Sequence, residues 1–110
     1  MDYSNYCLES CDVIALHGHF DTNTASDIKE CFEDLIDSGT GDVLIDMSDI
    51  GKIDSSGVGA LVFLYKRLRV DSRNLGLLGV HGQANDLLTM LRINKAIKQY
   101  TNIEEYLGAY

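Results

Sequence analysis

"DVLIDMSDIGKIDSSGVGALVFLYKRLRV", residues 42–70, passes from an apolar run through a polar connection into a long helical run. DVLIDM (42–47) is short, apolar and flanked by turn residues, which predicts a strand buried on both faces. SDIGKID (48–54) reads as the connection that follows it. From the serines at 55 and 56 the pattern predicts a buried helix to about Val70. Its end, YKRLR (65–69), is solvated, and cations there also suit the helix dipole. A buried strand delivered through a loop into a helix is the building unit of an α/β domain.

The rest of the chain repeats that alternation. DVIALHGHF (12–20) has the β-branched, alternating character of a strand before it meets Gly18. DTNTASDIKECFEDLIDSG (21–39) predicts a helix, with N-cap candidates from Asp21 to Thr24. Ala25, Ile28, Cys31, Phe32, Leu35 and Ile36 form its inner stripe, and Gly39 and Gly41 end it. LGLLGV (75–80) is a second short buried strand, and QANDLLTMLRI (83–93) a helix with Ala84, Leu87, Leu88 and Leu91 on one side. AIKQY (96–100) suits an edge strand and NIEEYLGAY (102–110) a closing helix. With no proline in the chain, glycine carries the boundaries. Residues 1–110 are expected to form one domain, since 110 residues is the size of one ordinary domain.

Charge and composition narrow the function classes. Nine Lys and Arg face seventeen Asp and Glu, a formal net charge of −8, with 45% hydrophobic residues. So acidic a surface repels phosphate backbones and anionic lipid, which argues against nucleic acid and membrane as partners. No apolar run approaches the roughly 20 residues that span a bilayer. MDYSNYCLES lacks the basic-then-apolar order of a secretory signal, so a cytoplasmic protein is expected. Cys7, Cys11 and Cys31 are an odd set that argues against a disulfide framework. Cys7 and Cys11, near His17 and His19, invite a zinc reading, but no second ligand pair follows at finger spacing. They are read instead as small buried hydrophobes on one face of a strand, and no metal or cofactor is expected.

The chemistry concentrates at KIDSSGVG (52–59). Ser55 or Ser56 is expected at the N-cap, where one hydroxyl is worth roughly 1 kcal/mol. Capping alone does not account for two adjacent hydroxyls. Nor does it account for Gly57 and Gly59, since glycine costs about 1 kcal/mol against alanine inside a helix. These glycines are expected to leave the helix start bare for a close approach. The Walker, dinucleotide and nucleophile-elbow patterns all fail at this stretch. A covalent phosphate on serine fits better: it adds about −1.5 to −2 charges beside Asp54, and helix N–H groups can receive its oxygens.

VLIDMSDIGKIDSSGVGALVFLYKRLR (43–69) resembles the STAS domain of bacterial anti-sigma factor antagonists. The resemblance rests on a strand ending in an acid, a short loop, and Asp-Ser-Ser-Gly-Val-Gly before an apolar helix. GHFDTNTA (18–25) is similar to the family's turn into its first helix, and residues 77–107 to its closing strand, helix, strand and helix. The fold implied is a single STAS-like α/β domain, with a mixed central sheet of about four to five strands and helices packed mainly on one face.

The function implied is a switch rather than an enzyme. A GHKL-type serine kinase that is also an anti-sigma factor binds the unphosphorylated protein, phosphorylates it and is released. A PP2C-type phosphatase resets it. Carried over by position, Ser55 is the acceptor and Ser56 its alternative. Asp54, Gly57 and Gly59 shape the partner-binding site, and Asp21 lies on the partner-facing edge. His19-Phe20 departs from the family's polar-Leu pair, so Phe20 is either a core residue or an exposed apolar contact. STAS domains also serve transport systems, which leaves an alternative: a scaffold subunit of a transporter ATPase that is never phosphorylated.

Overall fold

The computed structural model describes residues 3–8 and 11–108. In chain order the elements are β1 (Tyr3–Leu8), β2 (Cys11–Phe20), α1 (Thr22–Ser38), β3 (Val43–Ile53), α2 (Ser55–Val70) and β4 (Leu75–Leu78). They are followed by α3 (Gly82–Met90), a 3-10 turn at Ile93–Lys95, β5 (Lys98–Tyr100) and α4 (Ile103–Gly108). The five strands lie in the order β1-β2-β3-β4-β5. β1 runs antiparallel to β2, and the remaining neighbours are parallel. The mixed five-stranded sheet is therefore the one implied by the family resemblance.

Strand alternation divides the core between two faces. Ile14, Leu16, Val43, Ile45, Leu75 and Leu77 pack with Ile28, Phe32, Leu61, Leu64, Leu68 and Leu88 of the helices. Burying each large aliphatic or aromatic side chain stabilises the fold by about 1.5–3 kcal/mol, so this side holds most of the stability. On the opposite face Cys11, Val13, Leu44 and Leu78 form a smaller layer under Tyr106 of α4. Tyr106 meets Tyr100 edge-on, with ring centroids 5.2 Å apart.

The central strand is longer than its sequence suggests. β3 continues past Met47 to Ile53, and SDIGKI is strand rather than connection. Its partner explains this, because β2 runs on to Phe20 and holds Asp49, Ile50, Lys52 and Ile53 opposite His17, Gly18, His19 and Phe20. Two register shifts give β3 extra residues there, which breaks the two-residue alternation that marks a strand. At the first shift the Asp46 carboxylate accepts from the Ser48 N–H at 3.0 Å and its hydroxyl at 2.7 Å.

β1 is an edge strand that the sequence analysis did not assign. Its hairpin corrects the cysteine reading. Cys7 and Cys11 belong to different strands: Cys7 is exposed opposite Asp12, and Cys11 is buried opposite Leu8. Only Cys11 is a core hydrophobe; the Cys7 thiol donates to Asp12 Oδ1 at 3.2 Å. Arg73 is a buried cation, 4% exposed, whose Nε and Nη1 donate to the carbonyls of Gly41 and Ile36. It thereby donates to one carbonyl in the last turn of α1 and to another just beyond the helix, where a cation also complements the dipole. Among the described residues no helix is long and apolar enough to cross a membrane.

Candidate functional site

Two strand-to-helix junctions built on the same plan stand side by side. Phe20 and Ile53 are paired in register, each is followed by an aspartate, and each aspartate caps a helix. Asp21 and Asp54 have nearly the same extended backbone, with φ −114° and −115°. An aspartate in this conformation can turn its carboxylate back onto the first free N–H groups of the helix. The Asp54 N–H donates to the Phe20 carbonyl at 3.2 Å, which ties the junctions together.

The cap assignment differs from expectation. Asp54, not a serine, is the N-cap of α2, and its Oδ1 accepts from the N–H groups of Ser56 at 2.8 Å and Gly57 at 3.1 Å. A carboxylate is a strong acceptor and also suits the positive end of the helix dipole, so it takes the role and releases the hydroxyls. Two of the helix N–H groups that could have received a phosphate are therefore already engaged by Asp54.

The serines then part company. Ser55 is the first residue of α2 and is exposed. Ser56 is half-buried, and its Oγ lies 2.9 Å from Thr22 Oγ1 of α1. Asp21 is half-exposed and caps α1 in a reciprocal box: its carboxylate accepts from the Thr24 N–H, and its own N–H donates to Thr24 Oγ1. The Thr24 amide holds the Asp21 carboxyl below its ordinary range.

Gly57 and Gly59 have opposite surroundings. A Cβ on Gly57 would lie 2.4 Å from the Phe20 carbonyl oxygen and 2.7 Å from Ile53 Cγ1. Gly57 is buried because α2 enters directly over the end of the sheet, so it packs and does not offer bare backbone. Gly59 is exposed, and a Cβ there would meet nothing within 4 Å. Of the two, only Gly59 is open to a visitor. Phe20 is fully buried, which places it in the core and ends the exposed-contact reading.

Sequence reasoning missed Gln83 altogether. Its side-chain Oε1 accepts from the Ile53 N–H at 2.9 Å, and its Nε2 donates to the Ile53 carbonyl at 3.0 Å. The amide behaves as one further strand residue, pairing with β3 at the last position before Asp54. No local signal marks a glutamine for this, because the partner lies on a distant element. Two of the three histidines are held elsewhere: His17 Nδ1 lies 2.9 Å from Asp49 Oδ2, and His81 Nε2 lies 2.8 Å from the Ser48 carbonyl. Neither contact reaches Ser55. Among the described residues no three His, Cys, Asp or Glu side chains converge as metal ligands would.

A sequence profile of the STAS domain matches residues 4–106. The chain belongs to the STAS domain family. Among curated proteins, this STAS domain is similar to the anti-sigma-B factor antagonist of Staphylococcus epidermidis. The two are 27% identical over 93 residues, which cover 83% of this chain and 86% of the relative. Among solved structures it is similar to an anti-sigma-factor antagonist (STAS) domain protein from Planctomyces limnophilus. That match has a TM-score of 0.89 and 21% identity, covering 99% of this chain and 97% of that one. It is also similar to the Bacillus cell fate determinant SpoIIAA in its phosphorylated form, with a TM-score of 0.74 and 18% identity over 99% of this chain and 100% of that one. At these identities the two structures speak for the fold alone.

Proposed function

We propose that this STAS domain is an anti-sigma factor antagonist whose binding to a GHKL-type serine kinase is switched off by phosphorylation of Ser55. The observation that carries the reading is the contrast between the two hydroxyls. Ser55 is exposed on the first turn of α2, while Ser56 is half-buried and tied to Thr22. A kinase active site has to surround the attacking oxygen, so the free hydroxyl is the better substrate. The curated relative named an anti-sigma-B factor antagonist supports the same role.

In the transfer, Ser55 Oγ attacks the γ-phosphorus of ATP and the bond to the β,γ-bridging oxygen breaks. ADP leaves, and the hydroxyl proton passes to a base of the kinase. The product carries about −1.5 to −2 charges next to the Asp54 carboxylate, which already occupies the helix amides. With those donors taken, the new charge turns outward and opposes the docked partner. A loss of about 2.8 kcal/mol of binding free energy lowers affinity roughly a hundredfold. A PP2C-type phosphatase reverses the modification: water attacks phosphorus, inorganic phosphate leaves and the hydroxyl is restored. In this reading the chain is a substrate and a binding protein, and the catalysis belongs to its partners.

The test is incubation with ATP and the anti-sigma-type serine kinase of the same genome, with the phosphate located by mass spectrometry. Label is expected on Ser55, absent in Ser55→Ala and retained in Ser56→Ala. Label confined to Ser56, or no label from an active kinase, overturns the proposal.

A further inference from the structure

The helix that begins at Ser55 carries a face that the fold leaves uncovered. At about 100° per residue, positions 55, 59, 63, 66 and 70 of α2 fall on one side. Ser55, Gly59, Phe63, Lys66 and Val70 are all exposed. Phe63 is 38% exposed and Val70 79%, although the apolar run that holds Phe63 reads as a buried helix. Beside this ridge, α1 and α2 flank an open cavity of about 370 Å³ lined by the apolar Ala25, Phe32, Ala60 and Phe63, with Ser26, Lys29 and Ser56. Ser56 thus joins the phosphorylation motif to the cavity.

Charge identifies the kind of occupant. The sixteen residues of α2 include Lys66, Arg67 and Arg69, three of the nine cations of the chain, and none of its seventeen acids. In a molecule of net charge −8 this is a segregated basic helix with an aromatic ring at its middle. The Arg67 guanidinium lies over the Phe63 ring, 5.7 Å from its centroid, so the apolar and cationic parts are contiguous. An apolar segment could lie across the open Gly59 backbone and the Phe63 ring, and carboxylates on that segment would meet Lys66 and Arg67.

We infer that this ridge and cavity are the main docking surface for the partner kinase, which presents to them an apolar segment bearing carboxylates. The inference rests on the proposed function and assigns a division of labour within it. Eight residues of helix separate Ser55 from Phe63 by about 12 Å, and Lys66 lies farther still. Charges that far apart at the surface are largely screened at physiological salt. The ridge therefore supplies affinity, and the phosphate controls docking only at its upper end.

The experiment measures binding of the full chain to the purified serine kinase by calorimetry, at low and physiological salt. Phe63→Ala and Lys66→Glu are each expected to weaken binding at least tenfold, with Lys66→Glu also reducing the salt dependence. Both sites are exposed, so far-ultraviolet circular dichroism and thermal midpoints near those of wild type are expected to confirm folding. Glu104→Lys, on α4, is the control expected to bind as wild type does. Combining Phe63→Ala with Ser55→Asp is expected to multiply the two effects, since the sites are too far apart to couple strongly.

If Ser55→Asp weakens binding while the ridge variants do not, the docking inference is wrong and the phosphorylation switch stands. If the ridge variants weaken binding while Ser55→Asp does not, the switch is wrong and the surface stands. A wild-type chain that does not bind the kinase overturns both. Self-association in the ultracentrifuge that Phe63→Ala abolishes, without any effect of Phe63→Ala on kinase binding, would make a second copy the occupant and overturn the inference.

Discussion

The hydroxyl of Thr22, first residue of α1, lies 2.9 Å from the hydroxyl of Ser56, second residue of α2. This contact links the starts of two helices far apart in sequence and gives one of the two serines a hydroxyl partner. Thr22→Val and Ser56→Ala are each expected to lower unfolding free energy by about 1 kcal/mol or less, the net value of one hydrogen bond. The double variant is expected to cost less than the sum of the singles. Urea denaturation of the four-member cycle measures this coupling, and strict additivity would show that the contact contributes nothing in solution.

Gly57 and Gly59 are expected to respond to alanine with opposite signs. In Gly57→Ala the new methyl meets the Phe20 carbonyl, a backbone atom that cannot swing aside. Overpacking of this kind costs about 1–3 kcal/mol. Gly59→Ala places its methyl in open space within an exposed helix turn, and the gain in helix propensity is about 1 kcal/mol. Thermal midpoints should therefore fall for the first variant and rise for the second.

Gln83→Ala removes two hydrogen bonds from Ile53. At about 1 kcal/mol each, the expected loss of stability is about 1–2 kcal/mol. A more specific readout is amide exchange at Ile53, which should accelerate more than exchange at Ile45 in the middle of the same strand. Equal acceleration at both positions would mean that Gln83 stabilises the sheet as a whole and does not position the residue before Asp54.

Asp21 ties stability to acid pH. Its carboxyl is held below the ordinary value of 3.8, chiefly because the carboxylate accepts from the Thr24 amide. A group depressed in the folded state contributes fully above its unfolded value, and that contribution is lost as pH falls through the folded one. Wild-type stability should therefore decline below about pH 4 more steeply than that of Asp21→Asn. Asparagine also caps well, so the variant is expected to differ little at pH 7. Parallel curves for the two proteins between pH 2 and pH 5 would show that the cap does not discriminate the ionised form.

Much of this domain is legible in the sequence because its signals are local. The inner stripe of α1 at Ile28, Phe32, Leu35 and Ile36 is a helical period, and all four residues are buried where that period puts them. The apolar run at 43–47 is strand because both faces of a central strand are covered. Asp-Ser-Ser-Gly marks the start of α2 to within a residue.

The failures have one common cause. The second half of β3 was unreadable because its strand character comes from pairing with β2 and its bulges erase alternation. Cys7 was misplaced because the hairpin puts it and Cys11 on different strands. The exposure of Phe63 on a helix read as buried has the same origin, since hydropathy records what a side chain is and not whether another element arrives to cover it.

By itself the sequence determined the order of strands and helices from β2 onward, the caps at Asp21 or its neighbours, and the two candidate hydroxyls. Those properties depend on residues within a turn or two of one another. Only the tertiary structure decided which hydroxyl is free, which glycine is packed and where α2 stays open. The first two depend on Thr22 and Phe20 arriving from another part of the chain against Ser56 and Gly57, and the third on which side of α2 the other elements cover.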